Sequence, residues 1–200
     1  MPNWCSNNLH MEGDAEEIKR FEDTHNSIPR DWKPSSHPLA HLEEGEREAV
    51  ILDFSASVWD EDNSNHEYSS HGYDWQAKHW GTKWNACDVY HPDDGYYTFE
   101  TAWGPPEAWL VSMSAKFPKL KFVLSYAEPG MGFMGITVAI GGDKMFDKCI
   151  DSSEARDFIK ENLDPDEEKE LKDLDEDDRW DFYDEHMYKA WNKLEAEAGV

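Results

Sequence analysis

Four side chains within a 21-residue stretch could ligate a metal: His71, His79, Cys87 and His91. Cys87 and His91, with three residues between them, would make half of a zinc site. A structural site needs a second close pair, and seven residues separate His71 from His79, so no metal is expected. Asp88, His91, Asp93 and Asp94 combine carboxylates with an imidazole, the groups used for proton transfer or metal-assisted hydrolysis. With 44 acids in 200 residues such clusters arise by chance, and Asp93-Asp94-Gly95 reads as a turn. Gly130-Met131-Gly132-Phe133-Met134-Gly135 has the glycine spacing of a dinucleotide loop. That loop must open a helix whose N-terminus meets the pyrophosphate. Here Ile136-Thr137-Val138-Ala139-Ile140 alternates as a strand, so the loop reading fails. No catalytic residue and no cofactor is assigned, and an enzyme with a site near His79, Cys87 and His91 is the minor alternative.

Charge is the more informative feature. Forty-four acids against 19 Lys and Arg give a net −25. Such a field repels nucleic acid and anionic membrane surfaces, and it favours basic partners, including proteins that themselves bind nucleic acid. Solubility is the bland reading of the same excess. Residues 151–200 hold 19 of the acids and 7 of the bases, about half of the net charge in a quarter of the chain. The candidate partner surface is Asp60, Glu61, Asp62 and Glu67 in one loop with Asp173, Asp175, Glu176, Asp177 and Asp178 in the tail. Carboxylates spread over such a surface could occupy a basic groove in place of phosphates. Direct nucleic-acid binding is not expected, because the aromatics lack flanking basic residues. No apolar run approaches the roughly 20 residues that span a bilayer. Cys5, Cys87 and Cys149 have no CxxC spacing, which suits a reducing cytoplasm.

Elements that must carry these groups are readable from periodicity. Residues 3–12 alternate as a strand with Cys5, Asn7, Leu9 and Met11 on one face. Asp14 caps a helix whose face is Ile18, Phe21 and His25. Val50-Ile51-Leu52-Asp53-Phe54 reads as a short strand. Residues 73–81 suit a short helix and 85–90 a weak strand. The turn at 93–95 launches a strand in which Tyr97, Phe99, Thr101 and Trp103 share a face. Pro105-Pro106 opens a helix with the stripe Trp109, Leu110, Met113 and Phe117. Leu120 to Tyr126 and Met134 to Ile140 pair as a hairpin across the turn at 128–132. The order is strand, helix, strand, then strand, helix, strand, with one strand more. That is an α+β, ferredoxin-like split βαβ sheet with helices on one face. It predicts a domain over 1–150 with a loop insertion around 57–94, and an acidic helical segment over 151–200. Two helices are expected in that segment, with Trp180, Tyr183, Met187, Trp191 and Leu194 as an apolar stripe. The stripe packs on the parent domain or joins two copies of the chain. Trp84 and Trp103 are expected to be buried and structural.

Three motifs occur together in order: Met-Pro-Asn-Trp-Cys-Ser-Asn-Asn-Leu at the N-terminus, Trp80-Gly81-Thr82-Lys83-Trp84-Asn85, and Phe99-Glu100-Thr101-Ala102-Trp103-Gly104-Pro105-Pro106. In these the chain resembles the Api-like ferredoxin-like family over roughly residues 1–142. The resemblance implies a ferredoxin-like fold and a bacteriophage or mobile-element context inside a bacterial cytoplasm. It carries over no catalytic residues. With the charge, it gives the expectation of an accessory protein that binds and inhibits a basic host protein or nucleoprotein complex of defence, such as a CRISPR or restriction component.

Overall fold

The structure, a computed structural model, describes residues 3–26, 52–58, 70–176 and 178–200, with side chains of 70–73 left aside. β1 (Trp4–Glu12) alternates strictly, and Cys5, Asn7, Leu9 and Met11 point inward, all buried. Asp14 then accepts the backbone N–H of Glu16 at 2.9 Å and starts α1 (Ala15–His25), which buries Phe21 and His25. After α2 (Ser70–His79) come β2 (Cys87–Asp93) and β3 (Tyr96–Ala102). α3 (Glu107–Lys116) follows the two prolines and buries Trp109, Leu110 and Met113. β4 (Lys121–Glu128), β5 (Phe133–Ile140) and β6 (Asp143–Asp151) complete the sheet.

All six strands pair antiparallel, in the order β2-β3-β1-β4-β5-β6. The first four make the ferredoxin-like arrangement, and β5 and β6 widen it beyond β4. One face is covered by α1 and α3. There Phe21, Trp109, Phe117, Phe122 and Leu124 join Phe54 and Trp80 in an aromatic-rich core. The period of two sends the remaining β4–β6 side chains to the other face. Val123, Met134, Ile136, Val138 and Ile150 pack there against Ala155, Ala190 and Leu194 of the C-terminal helices.

Those helices number four among the described residues. They are α4 (Ser152–Glu161), α5 (Pro165–Asp173), α6 (Asp178–Glu185) and α7 (Met187–Ala198). Two were expected; the breaks at Leu174, which is extended, and at His186 divide the second. Asp151 and Asp164 each close a capping box, with Glu154 and Glu167 as the reciprocal acids. Of the apolar stripe, Tyr183 and Leu194 are buried within this chain, and Trp180 is 56% exposed.

Three expectations are corrected. The second core strand is β2 at Cys87–Asp93, not Val50–Phe54. Val50 and Ile51 lie outside the described residues, and Phe54–Ala56 is a 3-10 turn. The Asp53 carboxylate accepts the Ser55 N–H at 2.8 Å and the Asn85 amide at 2.9 Å, local bonds that compete with a strand ladder. Trp103 leaves its face: its φ of +73° swings the ring outward to 48% exposure, whereas Trp84 is half-buried 5.9 Å from Trp4. Finally, β6 was not foreseen as a strand. Gly141 and Gly142, at φ +61° and +96°, form the two-residue turn that folds it back on β5.

Candidate functional site

The metal candidates do not converge. His79 places Nδ1 2.9 Å from its own helix carbonyl at Trp75, and its ring stacks on the Trp75 indole. Cys87 is buried, facing the core. His91 pairs with Glu22 at 3.0 Å and lies against the Tyr97 ring. The His71 side chain lies outside the described residues. Among the described residues no group of three His, Cys, Asp or Glu could hold a metal ion. The cluster around Asp88, His91, Asp93 and Asp94 has a structural use instead. Glu22 takes both His91 and the backbone N–H of Gly95, so it ties the β2–β3 hairpin to α1.

The acidic candidates divide. Asp60, Glu61, Asp62, Glu67 and Asp177 lie outside the described residues. Asp173, Asp175, Glu176 and Asp178 are exposed where α5 gives way to α6. Asp175 has a local duty, since its carboxylate accepts the Asp178 N–H at 3.1 Å and caps α6. The surrounding layer is just as acidic. Between Glu161 and Glu185, twelve described acidic residues are exposed against three basic ones, Lys169, Lys172 and Arg179. Lys172 is already paired with Glu168 at 2.8 Å. The layer is held from behind by Ile159, Phe182 and Tyr183, and by the Glu167–Lys189 ion pair at 2.6 Å. The Lys189 hydrogen bond, with the capping bond at Asp164, holds Glu167 below the usual carboxylate range.

A groove between the start of α3 and the β4–β6 edge was not foreseen. Its volume is about 740 Å³, and Pro105, Ala108, Val111 and Phe133 make its apolar wall. At its polar end Glu107 accepts from Tyr126 Oη (3.2 Å), Thr137 Oγ1 (2.9 Å) and Lys144 Nζ (2.8 Å). Lys144 also reaches Asp147 at 2.6 Å. Burial would lower the Lys144 pKa, but the bonds to Asp147 and Glu107 outweigh it, and the ammonium stays above its ordinary value. Burial, then the Glu107 charge, pushes the Tyr126 phenol well up. Cys149, at the same end and exposed at its surface, has its pKa raised by partial desolvation on its inner side and then by the Glu107, Asp147 and Glu154 carboxylates, so it is a neutral thiol. The signals in the sequence were weak. Gly135 interrupts an apolar strand because a Cβ there would meet Tyr126 Oη at 2.5 Å. Glu107 sits at the start of a proline-led helix.

Comparison with known proteins settles the fold. Residues 79–177 match the family model described as a ferredoxin-like domain in Api92-like protein. The matched span contains β2 to β6, α3, the groove and the exposed acids of α5. A crystal structure of a protein api92 from Yersinia pseudotuberculosis is similar to the chain at 13% identity, with a TM-score of 0.50. The likeness covers 74% of this chain and 98% of that one, and it shows the fold alone. No curated protein matches the chain. Among the described residues no helix is long and apolar enough to cross a membrane.

Proposed function

We propose that this is a non-enzymatic binding protein whose acidic α5–α6 layer docks on a basic protein surface. The observation that carries the reading is the imbalance there: twelve exposed acids against three bases, on helices whose backs are packed and capped. Fixed carboxylates on a packed layer keep their spacing, so they can meet a row of Lys and Arg without first being ordered. A surface that normally takes a nucleic-acid backbone has that charge pattern. The motif resemblance to a family met in bacteriophages and mobile elements makes a host defence nucleoprotein, of CRISPR or restriction type, the natural partner class. The site of action would be the bacterial cytoplasm, and inhibition would follow from occupying the phosphate path.

The test uses affinity capture from a bacterial lysate. The intact protein is compared with a variant carrying Asp173→Asn, Glu176→Gln, Asp181→Asn and Asp184→Asn. The expected result is one basic nucleic-acid-handling complex, released by high salt or by added duplex DNA, and lost in the variant. Capture that is insensitive to salt and equal in the variant would overturn the reading, as would capture of no basic complex.

A further inference from the structure

We infer that the open face of β1, β3 and β2 is a stacking platform for a neutral oligosaccharide. The inference stands apart from the acidic layer, which belongs to α5 and α6. The second face of the sheet is covered unevenly. Ala155, Ala190 and Leu194 of the C-terminal helices pack on its β4–β6 half, where Val123 belongs to the same cluster. Val123 lies opposite His10, so this is also the face on which β1 shows Trp4, Ser6, Asn8 and His10, all exposed. Ser6 pairs with Glu100, Asn8 with Thr98, and Thr98 with Tyr90, which carries the strip across three strands. Aromatic rings stand at its opposite corners, Trp4 at 37% and Tyr90 at 64% exposure.

Indoles gather where β1 begins. The Trp4 and Trp84 rings lie 5.9 Å apart, tilted by 44°. The Trp103 N–H donates to the Asn3 carbonyl at 3.0 Å, which fixes that residue at the same end of the sheet. Trp103, at φ +73°, and Asp88, at φ +47°, are the two non-glycine residues with positive φ among the described residues. Bulky side chains rarely adopt that conformation, and backbone strain of this kind gathers at ligand sites. At Trp103 the strain exposes a ring that the alternation of β3 would turn towards the core. The polar groups between the rings favour a ligand rich in hydroxyls. Ser6 Oγ donates to Glu100 at 2.7 Å, and Asn8 Oδ1 accepts from Tyr96 Oη at 3.4 Å, so hydroxyl, amide and carboxylate stand side by side. A pyranose lays its C–H face on the electron-rich face of an indole and presents hydroxyl donors at its rim. A proline-rich helix also stacks on aromatics, but its prolines have no N–H to give. Single-stranded nucleic acid needs cations along its backbone. Here Lys121 is paired with Glu12 at 3.2 Å, Lys83 lies over the Trp84 ring, and Asp88 and Glu100 would repel phosphate. A neutral glycan meets no such repulsion.

The test is calorimetry with cellohexaose, whose β-linked glucose chain is a flat ribbon suited to a flat face. Saturable binding with a Kd of about 1 mM is expected, unchanged at high salt because no charges pair. Trp4→Ala and Trp103→Ala should each weaken it about tenfold, the loss of one stacked ring. Trp4→Phe keeps an aromatic face and should retain most of the binding, a result that loss of folding would not give. Trp180→Ala, which removes an exposed indole on α6, should change nothing. Decaproline and decathymidylate are the comparison ligands. No binding of cellohexaose, equal binding in both alanine variants, or tighter binding of either comparison ligand would overturn the inference.

Discussion

Gly135→Ala separates packing from propensity. In the middle of a strand, Gly→Ala ordinarily stabilises by about 0.4–1 kcal/mol, because the unfolded chain loses freedom. Here the added Cβ would sit 2.5 Å from Tyr126 Oη and 2.6 Å from the Lys148 carbonyl oxygen. Neither neighbour yields easily. The carbonyl belongs to β6, which pairs with β5 at Gly135↔Cys149, and the phenol is bonded to Glu107. Overpacking of this kind costs about 1–3 kcal/mol. The net loss is therefore about 1–2 kcal/mol, or roughly 2–8 °C in Tm for a chain of this length. Urea unfolding followed by circular dichroism measures it. Tyr126→Phe would leave the ring carbon Cζ at 2.6 Å, so adding Tyr126→Leu, which removes the ring, should relieve the collision with residue 126 and make the two substitutions less than additive. A Gly135→Ala variant as stable as the parent would refute the close approach, and with it the seating of Tyr126 against β5.

Other consequences are equally direct. Trp109, fully buried, should cost about 3–5 kcal/mol on truncation to Ala, whereas Trp103→Ala should cost under about 1 kcal/mol, both from urea midpoints. Because Trp103 sits at φ +73°, Trp103→Gly should be more stable than Trp103→Ala by about 1 kcal/mol, measured the same way. Burial lowers the His25 pKa to about 4 from its ordinary 6.5. The unfolded chain then binds the extra proton first, so stability present above pH 6.5 is lost as pH falls towards 4, by about 3 kcal/mol. His25→Gln should flatten that slope in urea midpoints taken between those limits. Asp164→Ala removes the α5 capping box and should cost about 1 kcal/mol, seen as faster amide exchange in α5.

Where one principle governed a segment, the sequence was a sufficient guide. Strict alternation in β1, the Asp14 cap on α1 and the proline-led stripe of α3 all lie where periodicity and capping place them. The β4–β5 hairpin was legible as well. Its turn is held by the buried Glu128 carboxylate, which accepts from the N–H groups of Gly130 and Met131. Errors arose where two influences competed. Leu52 and Phe54 are apolar enough for a strand, but Asp53 bonds locally and the backbone turns. Trp103 continues an alternating run, but a left-handed residue ends the alternation. In β6, charged residues hide the strand: Lys144 and Asp147 sit with the Glu107 cluster on the α3 side, and Lys148 pairs with Glu197 of α7 on the other. The groove was only faintly marked, by Gly135 and the proline-led Glu107, since Glu107, Thr137 and Lys144 are remote in sequence and meet only where the start of α3 lies over the paired β5 and β6.

The two cores close at different times during synthesis. Everything that fills the α1–α3 side has left the ribosome once β5 is made. The other side of β4 and β5 waits for Ala190 and Leu194, in the last helix of the sequence. A nascent or prematurely ended chain therefore displays Val123, Met134, Ile136 and Val138 as an uncovered apolar strip on an otherwise finished sheet. Such strips are what holding chaperones bind and what drives aggregation. For this protein, then, burial of that strip rests on α7, and a chain without α7 would carry it bare.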